Sequence, residues 1–121
     1  MESIKVVNLH HKMSQISGFW KPGIVGELND TYLKLARLKG EFIWHQHEQE
    51  DELFMVLQGR LVIKLRDGDL VINPGEFAII PHGVEHKPVA DEEVQVLLLE
   101  PKSTLNTGNV QNDRTVEAEW I

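Results

Sequence analysis

The chain contains no cysteine and no uninterrupted apolar run of 18 residues. The first absence excludes disulfides, thiolate ligands and a nucleophilic thiol. The second removes the usual signature of a membrane-spanning helix. Residues 1–16 also lack the basic start and continuous apolar core of a secretion signal, so a cytoplasmic location is expected. Positive charge is scarce, with 12 Lys and Arg against 19 Asp and Glu and a net charge of −7. Nucleic acid and anionic membranes both need a basic face, so neither is an expected partner. The 121 residues suffice for one domain with a core of ordinary size.

What is present is mostly β pattern. Residues 1–30 are the exception and carry the weakest signal. Ile4 to Val7 reads as a short strand, and Asn8 as the cap of a helical turn carrying Leu9, Met13 and Ile16. Phe19, Trp20, Pro22 and Gly23 read as a loop over apolar surface, and His10 and His11 as solvent-exposed. From Thr31, strand-like runs follow at 32–38, 41–45, 53–57, 61–65, 70–72, 77–80 and 94–99. Gly, Pro or Asp breaks the series every seven to ten residues, including an Asp67-Gly68 hairpin signal and an acidic turn at 91–93. About eight short strands at this spacing predict an all-β barrel or sandwich, not βαβ units. Residues 102–116 have few apolar anchors and read as extended or mobile, with Trp120 packing on this subunit or a neighbour.

Chemistry concentrates in the stretch from His45 to Glu52. His45 and His47 stand two apart, so on an extended strand both imidazoles leave the same face. Glu52 follows a four-residue turn and opens the next strand, and His86 supplies a third imidazole. Together they form a candidate shell for one divalent metal; the plain alternative is a polar turn with surface histidines. Glu52 shares its strand face with Phe54 and Val56, and a carboxylate among apolar neighbours needs a partner that a cation would supply. Asp51 is the rival carboxylate, one methylene shorter and on the opposite face. Glu48 and Glu50 read as a solvated turn, and His82 as a supporting residue near the barrel mouth.

These residues resemble the cupin superfamily. Its first motif is matched by Gly40, His45, His47, Glu52 and Gly59, and its second by Gly75, Pro81, Gly83 and His86. Gly40 lies one residue nearer His45 than usual, and Ala90 stands where asparagine is frequent. The resemblance implies a cupin-type antiparallel β-barrel, or jelly roll, as a single domain over 1–121. Its barrel core would cover about 31–100, with a polar C-terminal extension at 101–121. It implies that His45, His47, Glu52 and His86 hold one divalent transition metal per subunit: Fe, Mn, Ni, Co, Cu or Zn. Four protein ligands on a six-coordinate ion leave two positions for a substrate or dioxygen.

A metal-dependent enzyme acting on a small polar molecule, as isomerase, lyase or dioxygenase, is the favoured expectation. A non-catalytic metal or small-molecule binding or sensing module is the alternative. Catalytic residues are not assigned: Tyr32, Lys34, Arg37 and Glu41 precede the site, but Gly40 interrupts the alternation that would rank them. A homodimer is expected, through the apolar strand Val94 to Leu99 at a barrel edge.

Overall fold

Alternation sets the architecture. In the computed structural model, which describes residues 4–121, β3 (Glu52–Gln58) buries Glu52, Phe54 and Val56 and turns Leu53, Met55 and Leu57 outward. The helix α1 (Leu9–Met13) precedes β1 (Gly23–Leu28) and β2 (Thr31–Glu41). After β3 come β4 (Leu61–Leu65), β5 (Gly68–Ile72), β6 (Phe77–Ile80), β7 (His86–Pro101) and β8 (Glu119–Trp120). Strand β7 is the spine: antiparallel β2 follows one of its edges, while β4 and β3 share the other. The order β5-β4-β7-β2-β1-β8, with β6 paired to β3, curls into a jelly roll. Inward side chains such as Val56, Leu61, Ile63 and Val96 are fully buried in its core.

A second, smaller cluster lies on the outer face of the same sheet. Asn8 caps α1, its side chain accepting from the His11 N–H at 2.8 Å, which satisfies one orphan donor of the first turn. The helix then lays Met13, with Ile16 just beyond it, over Leu35 and Val25. Arg37 fastens this segment to the sheet by donating to the carbonyls of Met13 and Ile16 and to Glu93.

Several boundaries differ from the sequence reading. The expected acidic turn at 91–93 is not a turn, because β7 runs unbroken through it with Asp91 and Glu92 exposed. The ladder to β2 shifts register there, from Leu38 opposite Val94 to Gly40 opposite Ala90, so Asp91 to Glu93 form a bulge while even-numbered residues stay inward on both sides. Val94 to Leu99 therefore lies in the middle of the sheet, between β2 and β3, and not at an edge. The hairpin between β4 and β5 closes with Leu65 opposite Gly68, one residue earlier than the Asp67-Gly68 signal suggested. Residues 42–44 form no ladder, and Ile4 to Val7, expected as a strand, have no regular secondary structure and no pairing partner among the described residues.

The C-terminal stretch is packed, not free. Thr104 and Thr107 are buried, and β8 pairs in parallel with β1. Gly108 passes so close beneath the His45–His47 segment that a Cβ there would collide with the Gln46 carbonyl. Trp120 stays half-exposed, its ring edge-on to Tyr32. Among the described residues no helix is long and apolar enough to cross a membrane.

Candidate metal centre

Three pieces of backbone deliver the cluster. His45 and His47 lie on the extended stretch after β2, Glu52 opens β3, and His86 opens β7. A reciprocal backbone pair joins the first to the last, His45 N–H to His86 O at 3.1 Å and His86 N–H to His45 O at 2.9 Å. All four side chains are buried, and one ligand atom from each falls within 4.8 Å of the others.

The imidazoles are oriented from behind. The Nδ1 of His45 lies 2.9 Å from the Ile43 carbonyl, and that of His86 2.9 Å from the Val84 carbonyl. A carbonyl only accepts, so each Nδ1 carries the proton and each Nε2 presents a lone pair to the centre. His47 Nε2 and His86 Nε2 stand 3.4 and 3.5 Å from Glu52 Oε1. Both His47 nitrogens, His86 Nε2 and Glu52 Oε1 have no hydrogen-bond partner although buried. Converging lone pairs with nothing between them are costly, and a divalent cation is the group that satisfies them together. Atoms each about 2.1 Å from one ion lie at most about 4.2 Å apart, close to the spread observed here. The donor set of three nitrogens and one carboxylate oxygen suits a first-row transition metal.

The electrostatics match that geometry. Burial, assisted by the neighbouring His86, pulls His45 down to about 4, so it is a neutral donor at physiological pH. Burial pushes Glu52 up, but the close Glu100, His47 and His86 side chains overcome this and hold it well below the usual range. Burial and the Glu52 charge push Glu100 well above that range, against the opposing pull of Lys34. Lys34 Nζ reaches Glu100 Oε1 at 2.7 Å in a buried pair, while Glu100 Oε2 has no partner.

A narrow cleft of about 40 Å³ meets the cluster at His45 and Glu52. Glu100 and Asn106 add polar groups to its wall, and Trp20, Phe42 and Phe54 supply aromatic surface. Trp20 stacks on Phe42 with centroids 4.8 Å apart. It holds a left-handed backbone (φ 61°) because its own N–H and its indole N–H both donate to β2 carbonyls.

The remaining sequence candidates fall outside the cluster. Asp51 is exposed and accepts from the backbone N–H and ring of His82, which is exposed as well. Glu48 is exposed, and Glu50 accepts from Ser103. His10 and His11 are exposed on α1. Arg37 faces outward to Glu93, Glu41 pairs with Lys87 on the surface, and Tyr32 packs against Trp120. Of that group only Lys34 points toward the site. Sequence reading missed Glu100, Asn106 and the Trp20–Phe42 wall. The even-numbered inward parity of 94, 96 and 98 could have found Glu100.

Residues 35–100, more than half of the chain, match the cupin domain family. This chain is a cupin. A crystallised cupin-2 domain protein from Shewanella frigidimarina is similar at 43% identity and a TM-score of 0.78, over 79% of this chain and 94% of that one. A Neisseria meningitidis protein of known structure shares 26% identity with a TM-score of 0.74, over 80% and 99% of the two chains. The uncharacterized Bacillus subtilis (strain 168) protein YdbB is 39% identical over 64 residues, 52% of this chain. The match spans 57% of that relative's length. The cupin therefore has a buried His–His–Glu–His cluster able to hold a metal ion beside a narrow cleft.

Proposed function

We propose that this cupin is a metal-dependent enzyme for a small polar molecule, of isomerase, lyase or dioxygenase type, with His45, His47, Glu52 and His86 as metal ligands. The observation that carries the reading is the narrow cleft that reaches His45 and Glu52 directly and brings Glu100 to the same wall. A divalent transition metal bound there supplies Lewis acidity or a centre for oxygen activation. The chain does the rest. The Ile43 and Val84 carbonyls keep two imidazoles in their donor tautomer. Trp20, Phe42 and Phe54 exclude water and offer a flat apolar surface to the substrate. Asn106 can orient a substrate polar group. Glu100, steadied on one oxygen by Lys34, holds or takes a proton at its carboxyl beside the reacting centre.

The reading includes one metal ion per subunit, a single domain, a cytoplasmic location and a homodimer. Its test is oxygen uptake and product formation over a panel of small acids and sugars, before and after chelation. Turnover that vanishes with the metal and returns on its readdition supports the enzyme. Glu100→Gln should then lower kcat by 10²-fold or more, the usual scale for a lost acid or base, while keeping its metal. Tight ligand binding without turnover across the panel would contradict catalysis and leave a sensing module.

A further inference from the structure

Two peptide units join the Cα of His45 to the Cα of His47, and both are gripped by residues distant in sequence. In the first, the His45 carbonyl accepts from the His86 N–H at 2.9 Å, and the Gln46 N–H donates to Asn109 Oδ1 at 3.0 Å. In the second, the Gln46 carbonyl accepts from the Asn109 N–H at 2.9 Å. Asn109 thus takes both backbone polar groups of Gln46. Its neighbour Gly108 lies against the same link. A Cβ there would overlap the Gln46 carbonyl oxygen and come 3.2 Å from His45 Cδ2, and its φ of +57° is already left-handed. Ser103 adds a hold further on, its hydroxyl donating to Glu50 at 2.9 Å in the turn between His47 and Glu52. The segment is itself fastened, since Thr107 is fully buried with its hydroxyl 2.6 Å from that of Thr115. All of these partners lie beyond the stretch, 35–100, that matches the cupin family.

We propose that Gly108 and Asn109 are positioning residues of the metal centre, holding the Gln46 link so that the His45 and His47 imidazoles meet one ion. Alternation sends both side chains to one side of the link, and rotating either peptide turns one imidazole away from the other. His47 depends most on this hold. The Ile43 and Val84 carbonyls orient the rings of His45 and His86, but neither ring nitrogen of His47 has a protein partner. Its ring is placed by the backbone that carries it. Asn109 is exposed, so water replaces its side-chain hydrogen bond at little cost to the fold. The cost falls on the site, where losing an outer partner of a metal ligand weakens metal binding about 10- to 100-fold.

The proposal rests on the metal-ligand reading above and adds to it two residues outside the four-ligand cluster. Cobalt(II) is the probe, because its visible absorption reports coordination geometry without any turnover. The full chain, treated with chelator and freed of it, is titrated with cobalt(II) and melted without metal. The parent should take up one cobalt ion per chain. Asn109→Ala should raise the cobalt dissociation constant about 10-fold and shift the absorption, while its metal-free form melts with the parent. Asn109→Asp keeps an acceptor for the Gln46 N–H and should recover the parent spectrum, measured at high salt to screen its added charge. Gly108→Ala should weaken cobalt binding further, toward 100-fold. A parent that takes up no cobalt overturns the ligand reading and the positioning role together. A parent that binds cobalt beside an Asn109→Ala chain of equal affinity and spectrum overturns the positioning role alone. So does a loss in Asn109→Ala that Asn109→Asp fails to recover, or one accompanied by a lower melting temperature of the metal-free chain.

Discussion

His45 shows how far a single environment can move a residue's chemistry. Buried beside His86 and His47, it keeps its folded-state pKa near 4, below the ordinary histidine value of about 6.5. The unfolded chain therefore binds more protons between those two values. Stability is full above pH 6.5 and falls as pH drops toward 4, by about 3 kcal/mol at most from this residue. A bound metal sharpens the same trend, since protons and metal compete for the imidazole nitrogens. Metal at about 100 times its dissociation constant adds about 2.7 kcal/mol, on the order of 10 °C in Tm for a domain of this size. Melting curves of loaded and chelator-treated protein should differ by that much at pH 7.5 and converge by pH 5. Curves that coincide at pH 7.5 would contradict the site. Individual residues were unevenly legible. The four cluster residues stood out because His-x-His followed by a carboxylate is spaced for one strand face. Glu100 did not, because the strand read from sequence ended at Leu99, one residue short of it, although the inward parity of 94, 96 and 98 continues to 100.

Among the elements, α1 carries a prediction of its own. It is only five residues long and stands by tertiary packing, not by propensity. Met13 fills the outer cluster over Leu35, on the face of β2 opposite to Lys34 and the cleft. Met13→Ala should therefore cost about 2–3 kcal/mol, and Asn8→Ala about 1 kcal/mol. Both should leave metal content unchanged, and denaturant melts paired with metal analysis would check this. Loss of metal in either variant would mean that the outer cluster supports the site directly. The cap and its apolar spacing were readable in the sequence. The strand β1 was not, because Gly23, Gly26 and its exposed Glu27 give no alternating signal. It forms because β2 offers a long partner edge, and β8 pairs with it for the same reason of available edge. The glycine at 59 shows a local need that was visible only as a motif position. Its φ of +87° lies in the left-handed region, and a Cβ there would come 2.7 Å from the Glu93 carbonyl oxygen.

At the scale of the whole molecule, the β class and the cupin fold followed from strand spacing and from the two ordered motifs. The topology did not, since nothing local says that β7 will be shared by β2, β3 and β4. The packing of residues 102–116 was also hidden. Its anchors are buried threonines and a close backbone approach at Gly108, which polar composition conceals. The fold's consequence is that three distant segments bring four buried donors to one point and leave those of His47, Glu52 and His86 unsatisfied by any protein partner. The most direct measurement is elemental analysis of protein purified without chelator, for the parent and for His45→Ala combined with His86→Ala. The parent should hold close to one transition-metal ion per chain, and the double variant almost none while retaining its β circular-dichroism spectrum. A folded double variant that holds as much metal as the parent would contradict the account.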